Sequence, residues 1–112
     1  MTSRLPQAER CIVDPAKIRD YCLDPNHTRG RHKARVFARV LGLSQADASW
    51  LRAAILAGIG MADVTCDKVD AHGERWRADL ASTHRGHFAI VRTLWLIPPD
   101  DGPPRLITCF VA

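Results

Sequence analysis

A chain of 112 residues with 46% hydrophobic and 25% charged side chains is long enough for one domain with its own core. It needs no disulfide or metal staple, and its apolar runs are far too short for a membrane-spanning helix. The net charge of +4 leans mildly toward an anionic partner such as RNA.

Residues 1–13 are polar at first, carry a proline and read as an N-terminal arm; Cys11-Ile12-Val13 within it has the makings of a short edge strand. Asp14-Pro15 is a helix start, with Asp able to cap and Pro suited to the first helical position. The first helix is expected over Pro15 to Leu23, with Ile18, Tyr21 and Cys22 on one face. Asp24-Pro25 ends it, and a loop to Gly30 follows. A second, basic helix over Arg31 to Leu41 presents Val36, Phe37, Val40 and Leu41 as its apolar stripe and closes on Gly42. Ser44 and Asp47 form a capping-box pattern for a third helix, whose Trp50, Leu51, Ala54, Ile55 and Gly58 fall at helical spacing. From Met61 the period shortens to two. Strands are expected around Ala62 to Cys66, around Trp76 to Leu80, over Phe88 to Ile97 and over Arg105 to Val111, with turns at Ala71-His72-Gly73, at Ser82 to Gly86 and at Pro98 to Pro104. Phe88 to Ile97 is apolar on both faces except for Arg92 and Thr93, which suits a central strand. The fold class is therefore α+β, two to three N-terminal helices packed on a four-stranded antiparallel sheet, with residues 14–112 as a single domain.

The densest chemistry lies between Asp24 and Gly42. His27 and Lys33 flank a glycine-containing turn at a helix start, where free backbone N–H groups also favour an anion. An imidazole can move protons near neutral pH and an ammonium can stabilise a phosphate. The ordinary alternative is a loop-bracing histidine and a solvated lysine. Arg35 and Arg39 lie one turn apart on the second helix's open side and could track a nucleic-acid backbone. Arg92, mid-strand among apolar neighbours, needs a partner. It reads as a phosphate clamp facing the loop before the second helix, as half of an ion pair with Asp63, Asp79 or Glu74, or as a residue exposed on an open face of the sheet. Arg105 and Thr108 on the last strand could complete a phosphate site, although strand alternation aims them at opposite faces unless a bulge intervenes.

Of the four cysteines, Cys22, Cys66 and Cys109 lie in apolar patterns and read as reduced core residues. No C-x-x-C pair or Cys–His spacing matches a zinc site, and His72, His84 and His87 sit in or near turns, so no metal and no cofactor is expected. The opening MTSRLPQAER shows no signal-peptide run, and the expected location is cytoplasmic.

The run Tyr21-x-Leu23-x-Pro25-x-His27-x-x-Gly30-x-x-Lys33-Ala34-x-x-Phe37, followed by Leu41-Gly42, resembles a small uncharacterised bacterial domain family with members of the form YLLNPxHPxGxxKAxxFxxLGF. Val91-Arg92-Thr93-Leu94-Trp95 and Pro104-Arg105-Leu106-Ile107-Thr108 resemble its ending, VRTVW…PRLVTAYP, although Cys109-Phe110-Val111 replaces AYP and its tyrosine. The layout is similar to the ribonuclease toxins grouped with barnase, EndoU, colicin-type tRNases and RelE. That similarity implies a metal-independent endoribonuclease-like toxin domain yielding a 2′,3′-cyclic phosphate. His27, Lys33, Arg92 and Thr108 would be catalytic, and Arg105, Arg35 and Arg39 would bind substrate. A different reading is a non-enzymatic module that docks on a small cognate antitoxin-like or phage-related protein. A DNA-reading helix pair is weaker, because Arg52 is the third helix's only cation.

Overall fold

The computed structural model describes residues 3–112. Asp14 caps helix α1 (Pro15–Lys17), its carboxylate accepting from the Ala16 N–H at 2.9 Å. The chain then runs on as a π-helical turn, Ile18–Cys22, closed by the Leu23 N–H on the Ile18 carbonyl. Its wider turn buries both Ile18 and Cys22. Helix α2 (Arg31–Leu41) buries Ala34, Phe37 and Leu41. It stops at Gly42, whose φ of 67° lets the N–H groups of Gly42 and Leu43 turn back to the carbonyls of Ala38 and Phe37. The Asp47 carboxylate accepts from the Ser44 N–H at 2.8 Å and fixes a 3-10 turn that leads into α3 (Ala48–Ile59). Helix α3 buries Leu51, Ile55 and Ile59.

Four strands follow in a simple antiparallel meander: β1 (Val64–Asp70), β2 (Gly73–His84), β3 (His87–Ile97) and β4 (Arg105–Val111), in that spatial order. Three helices followed by a four-stranded antiparallel sheet is the α+β arrangement that the sequence indicates. Strand β2 runs further than the pattern suggested. Arg85 and Gly86 both take positive φ (49° and 82°), so a two-residue turn suffices and Ser82 to His84 stay in the ladder.

The sheet has two unlike faces. On β3, Ala89, Val91, Thr93, Trp95 and Ile97 are buried, and they join Phe37, Leu41, Leu51, Ile55 and Ile59 in one core. Helix α2 lies against β3 and β4, and α3 against β2. The alternate residues Phe88, Ile90, Arg92, Leu94 and Leu96 line the other face, which among the described residues carries no helix layer. Inside the core the Trp95 indole N–H donates to the Thr93 hydroxyl at 2.8 Å, and that hydroxyl donates to the Ala78 carbonyl at 2.8 Å. His84, expected near a turn, is buried; its Nδ1 lies 2.8 Å from the Leu41 carbonyl and its ring 4.5 Å from that of Trp50.

Residues ahead of α1 are tied into the body. Leu5 and Val13 are core residues, the Val64 N–H donates to the Ser3 carbonyl, and Ile12 pairs in parallel with Arg105 at the β4 edge. Cys66 departs from its expected core position. It sits on edge strand β1 beside a register shift and is exposed, whereas Cys22 and Cys109 are buried. Among the described residues, no helix is long and apolar enough to cross a membrane.

Candidate functional site

The loop before α2 is built from its own hydrogen bonds. The Asp24 carboxylate accepts from the Asn26 N–H at 2.8 Å. The His27 Nδ1 accepts from the N–H groups of Arg29 (3.0 Å) and Gly30 (3.1 Å), which leaves the ring proton on Nε2. The ring stands edge-on to Tyr21 at 4.7 Å. A Cβ on Gly30 would collide with the Tyr21 carbonyl oxygen, so glycine is what lets the loop close on the π-helical turn. His27 is thus the brace of this loop. The backbone N–H groups of Arg29 and Gly30 that a phosphate could have used are already spent on the imidazole.

Lys33, in the first turn of α2, lays its ammonium over the Phe110 ring, 4.6 Å from the centroid. Phe110 lies on edge strand β4, directly opposite Arg92 on β3. Arg92 in turn faces Asp79 across β2 and β3, and its Nε and Nη2 donate to the two carboxylate oxygens at 2.9 and 3.0 Å. That hydrogen bonding holds the Asp79 carboxyl below the usual carboxylate range and raises the Arg92 guanidinium further. Of the three acids that could have paired with Arg92, the register selects Asp79. Arg92 therefore looks out on the open face of the sheet and does not face the loop before α2. Arg77 extends the charged row toward β1 by pairing with Asp67 at 3.3 Å.

The other expected residues lie elsewhere. A register shift between Leu94 and Trp95 inserts an extra residue in β4, at Ile107, and leaves both Thr108 and Cys109 buried. The Thr108 hydroxyl sits 3.9 Å from the Cys22 sulfur, away from any open surface. Hydrogen bonding between the Cys22 and Cys109 thiols pulls Cys22 down and Cys109 up. Arg105 is at the far end of β4, where it lines a cleft of about 600 Å³ together with Lys17 and Arg52. Arg35 and Arg39 are exposed on α2. The structure thus sets the Lys33 ammonium over the Phe110 ring and Arg92 opposite Phe110 in the β3–β4 register, and leaves His27, Thr108 and Arg105 apart from them. Sequence reasoning passed over Asp79 and Phe110 as site residues. Asp79 was named only as a possible ion-pair partner, and Phe110 only as a departure from the family's ending.

A family model described as a domain of unknown function, DUF6883, matches residues 4–112, nearly the full chain. The chain belongs to the DUF6883 family. No curated protein matches it. The DUF6883 match spans every element of the sheet, so the Lys33–Phe110–Arg92–Asp79 group lies wholly within the family domain.

Proposed function

We propose that this DUF6883 chain is a metal-independent endoribonuclease-like domain, working at the rim where α2 meets the open edge of the sheet. One observation carries the reading: Lys33 and Arg92 flank the same exposed-edge aromatic, Phe110, with the Asp79 carboxylate bound to Arg92. Two cations supply what a phosphodiester transition state needs, and an aromatic ring offers a base something to stack on. The ionised Asp79 is the carboxylate within reach of a phosphate held by Arg92. In the step proposed, the ribose 2′-oxygen attacks the adjacent phosphorus while its proton passes to Asp79. The bond from phosphorus to the 5′-oxygen breaks, that oxygen takes a proton from water, and a 2′,3′-cyclic phosphate remains. Arg35 and Arg39, exposed on α2, would carry the flanking RNA backbone. The similarity in layout to ribonuclease toxins, helices followed by a four-stranded antiparallel sheet, supports the same reading by analogy.

The test is cleavage of a defined RNA in the presence of EDTA, with product ends identified by mass. Lys33→Ala and Arg92→Ala should each slow cleavage about 100-fold or more. An inactive wild-type protein, or activity that survives both substitutions, would sink the proposal; loss of cleavage on chelation would remove its metal-independent part.

A second reading has its own observation. Phe88, 62% exposed, shares the uncovered face of β3 with Ile90 on one side of Arg92 and with Leu94 and Leu96 on the other, apolar patches suited to a protein such as a small antitoxin-like partner. Binding through it would hold at high salt, whereas RNA binding would fall steeply with ionic strength.

A further inference from the structure

The cleft at the other end of β4 belongs to neither reading. It forms where three parts of the chain meet. Ile12 pairs with the start of β4, α1 begins just beyond, and α3 ties itself to the same segment through Arg52, whose Nε donates to the Val13 carbonyl at 2.7 Å. The cleft, about 600 Å³, is lined by Cys11, by the exposed apolar Ile12 and by Pro15. Lys17, Arg52 and Arg105 all line it. Among the described residues none of the three has a carboxylate within 4.0 Å, although six other cations of the chain do. Lys17 and Arg52 are also half-buried, where an uncompensated cation is costly. The one carboxylate in the lining, Asp14, is engaged in capping α1. The Arg52 guanidinium is already oriented by its bond to Val13, with both terminal amino groups left over.

We infer that this cleft is a binding site for a phosphate monoester of a small organic molecule. Three cations against one carboxylate leave the lining two charges positive, which matches a phosphate dianion and would over-compensate a carboxylate. The volume suits a ligand of about nucleotide size, and the exposed Ile12 side chain in the lining gives its organic part an apolar surface to cover.

Cys11 supplies the readout, because it lines the cleft and is half-buried, while Cys66 is exposed on the far edge of the sheet and serves as an internal control. The full chain is alkylated with iodoacetamide at fixed ionic strength, and modification of each cysteine is followed by mass. Phenyl phosphate should slow alkylation of Cys11 several-fold and leave Cys66 unchanged. Lys17→Gln and Arg105→Gln, which spare the Arg52 tether, should each raise the concentration needed for protection about tenfold. Lys33→Ala, which disables the proposed RNA site, should leave protection intact, so the two proposals fail separately. Absence of protection, protection that ignores both glutamine variants, or equal protection by benzoate would overturn the assignment.

Discussion

Replacing Thr93 by valine should destabilise the protein by about 2 kcal/mol, although the two side chains have nearly the same shape and the site is wholly buried. The hydroxyl is the acceptor for the Trp95 indole N–H and the donor to the Ala78 carbonyl, both at 2.8 Å. Valine removes both bonds. The indole N–H is then a buried donor with no acceptor, which costs about 1–3 kcal/mol, and the lost bond to the carbonyl adds about 0.5–1.5 kcal/mol. The extra methyl offsets about 0.8 kcal/mol of that sum through the apolar area it buries. The orphaned indole can be isolated by a second substitution. In a Trp95→Phe background the donor is gone, so Thr93→Val should cost about 1 kcal/mol less than it does in the wild type. Urea denaturation of the four proteins gives the cycle, with unchanged m-values confirming that only stability has moved. Additive substitutions, or a Thr93→Val cost below about 0.5 kcal/mol, would refute the claim that this chain of hydrogen bonds anchors the centre of the sheet.

Gly30→Ala should prevent normal folding or cost several kcal/mol, because the added methyl meets the Tyr21 backbone and not a movable side-chain tip; thermal unfolding reads this directly. His27→Ala should lower stability by about 1–2 kcal/mol, since two loop N–H groups lose their acceptor, while cleavage per folded molecule stays within a few-fold of wild type; a 100-fold loss in the folded variant would return the imidazole to the chemistry. The Asp79–Arg92 pair stabilises the fold only while the carboxylate is ionised. With the Asp79 pKa lowered in the folded state, that contribution is present above the ordinary aspartate pKa of 3.8 and is lost as pH falls below it. At this solvent exposure the contribution is small, and Asp79→Asn should shrink the acid-side fall in stability.

Local chemistry was legible where one residue decides a local event. Asp14-Pro15 starts a helix, Gly42 ends one, Ser44 and Asp47 begin the next, and a run apolar on both faces from Phe88 to Ile97 marks a central strand. What pattern could not supply was register. The same strand carries Arg92 whichever acid it meets; the β2–β3 pairing makes that acid Asp79, and the β3–β4 pairing makes the other neighbour Phe110. The extra residue at Ile107 was equally hidden, and it turns Thr108 inward, because a bulge reflects the packing of a neighbouring layer and leaves no signal in its own side chain. Cys66 was misjudged for a related reason. On an edge strand with a register shift, alternation does not say which face is covered.

Residues 3–13 also bear on the order in which the molecule assembles. This stretch holds the sheet at both margins, through Ser3 beside β1 and Ile12 beside β4. Ile12 finds its partner only about 90 residues later in the chain. During synthesis the β2–β3 hairpin can form from near neighbours, but the clasp at Arg105 must wait until the final strand has emerged. Closing so long a loop is slow and comes after local pairing, so the β4 margin of the sheet is the last part of the molecule to be sealed. Until then the β4 side has no covering strand, and a nascent chain stalled at that stage would present an open edge to its neighbours.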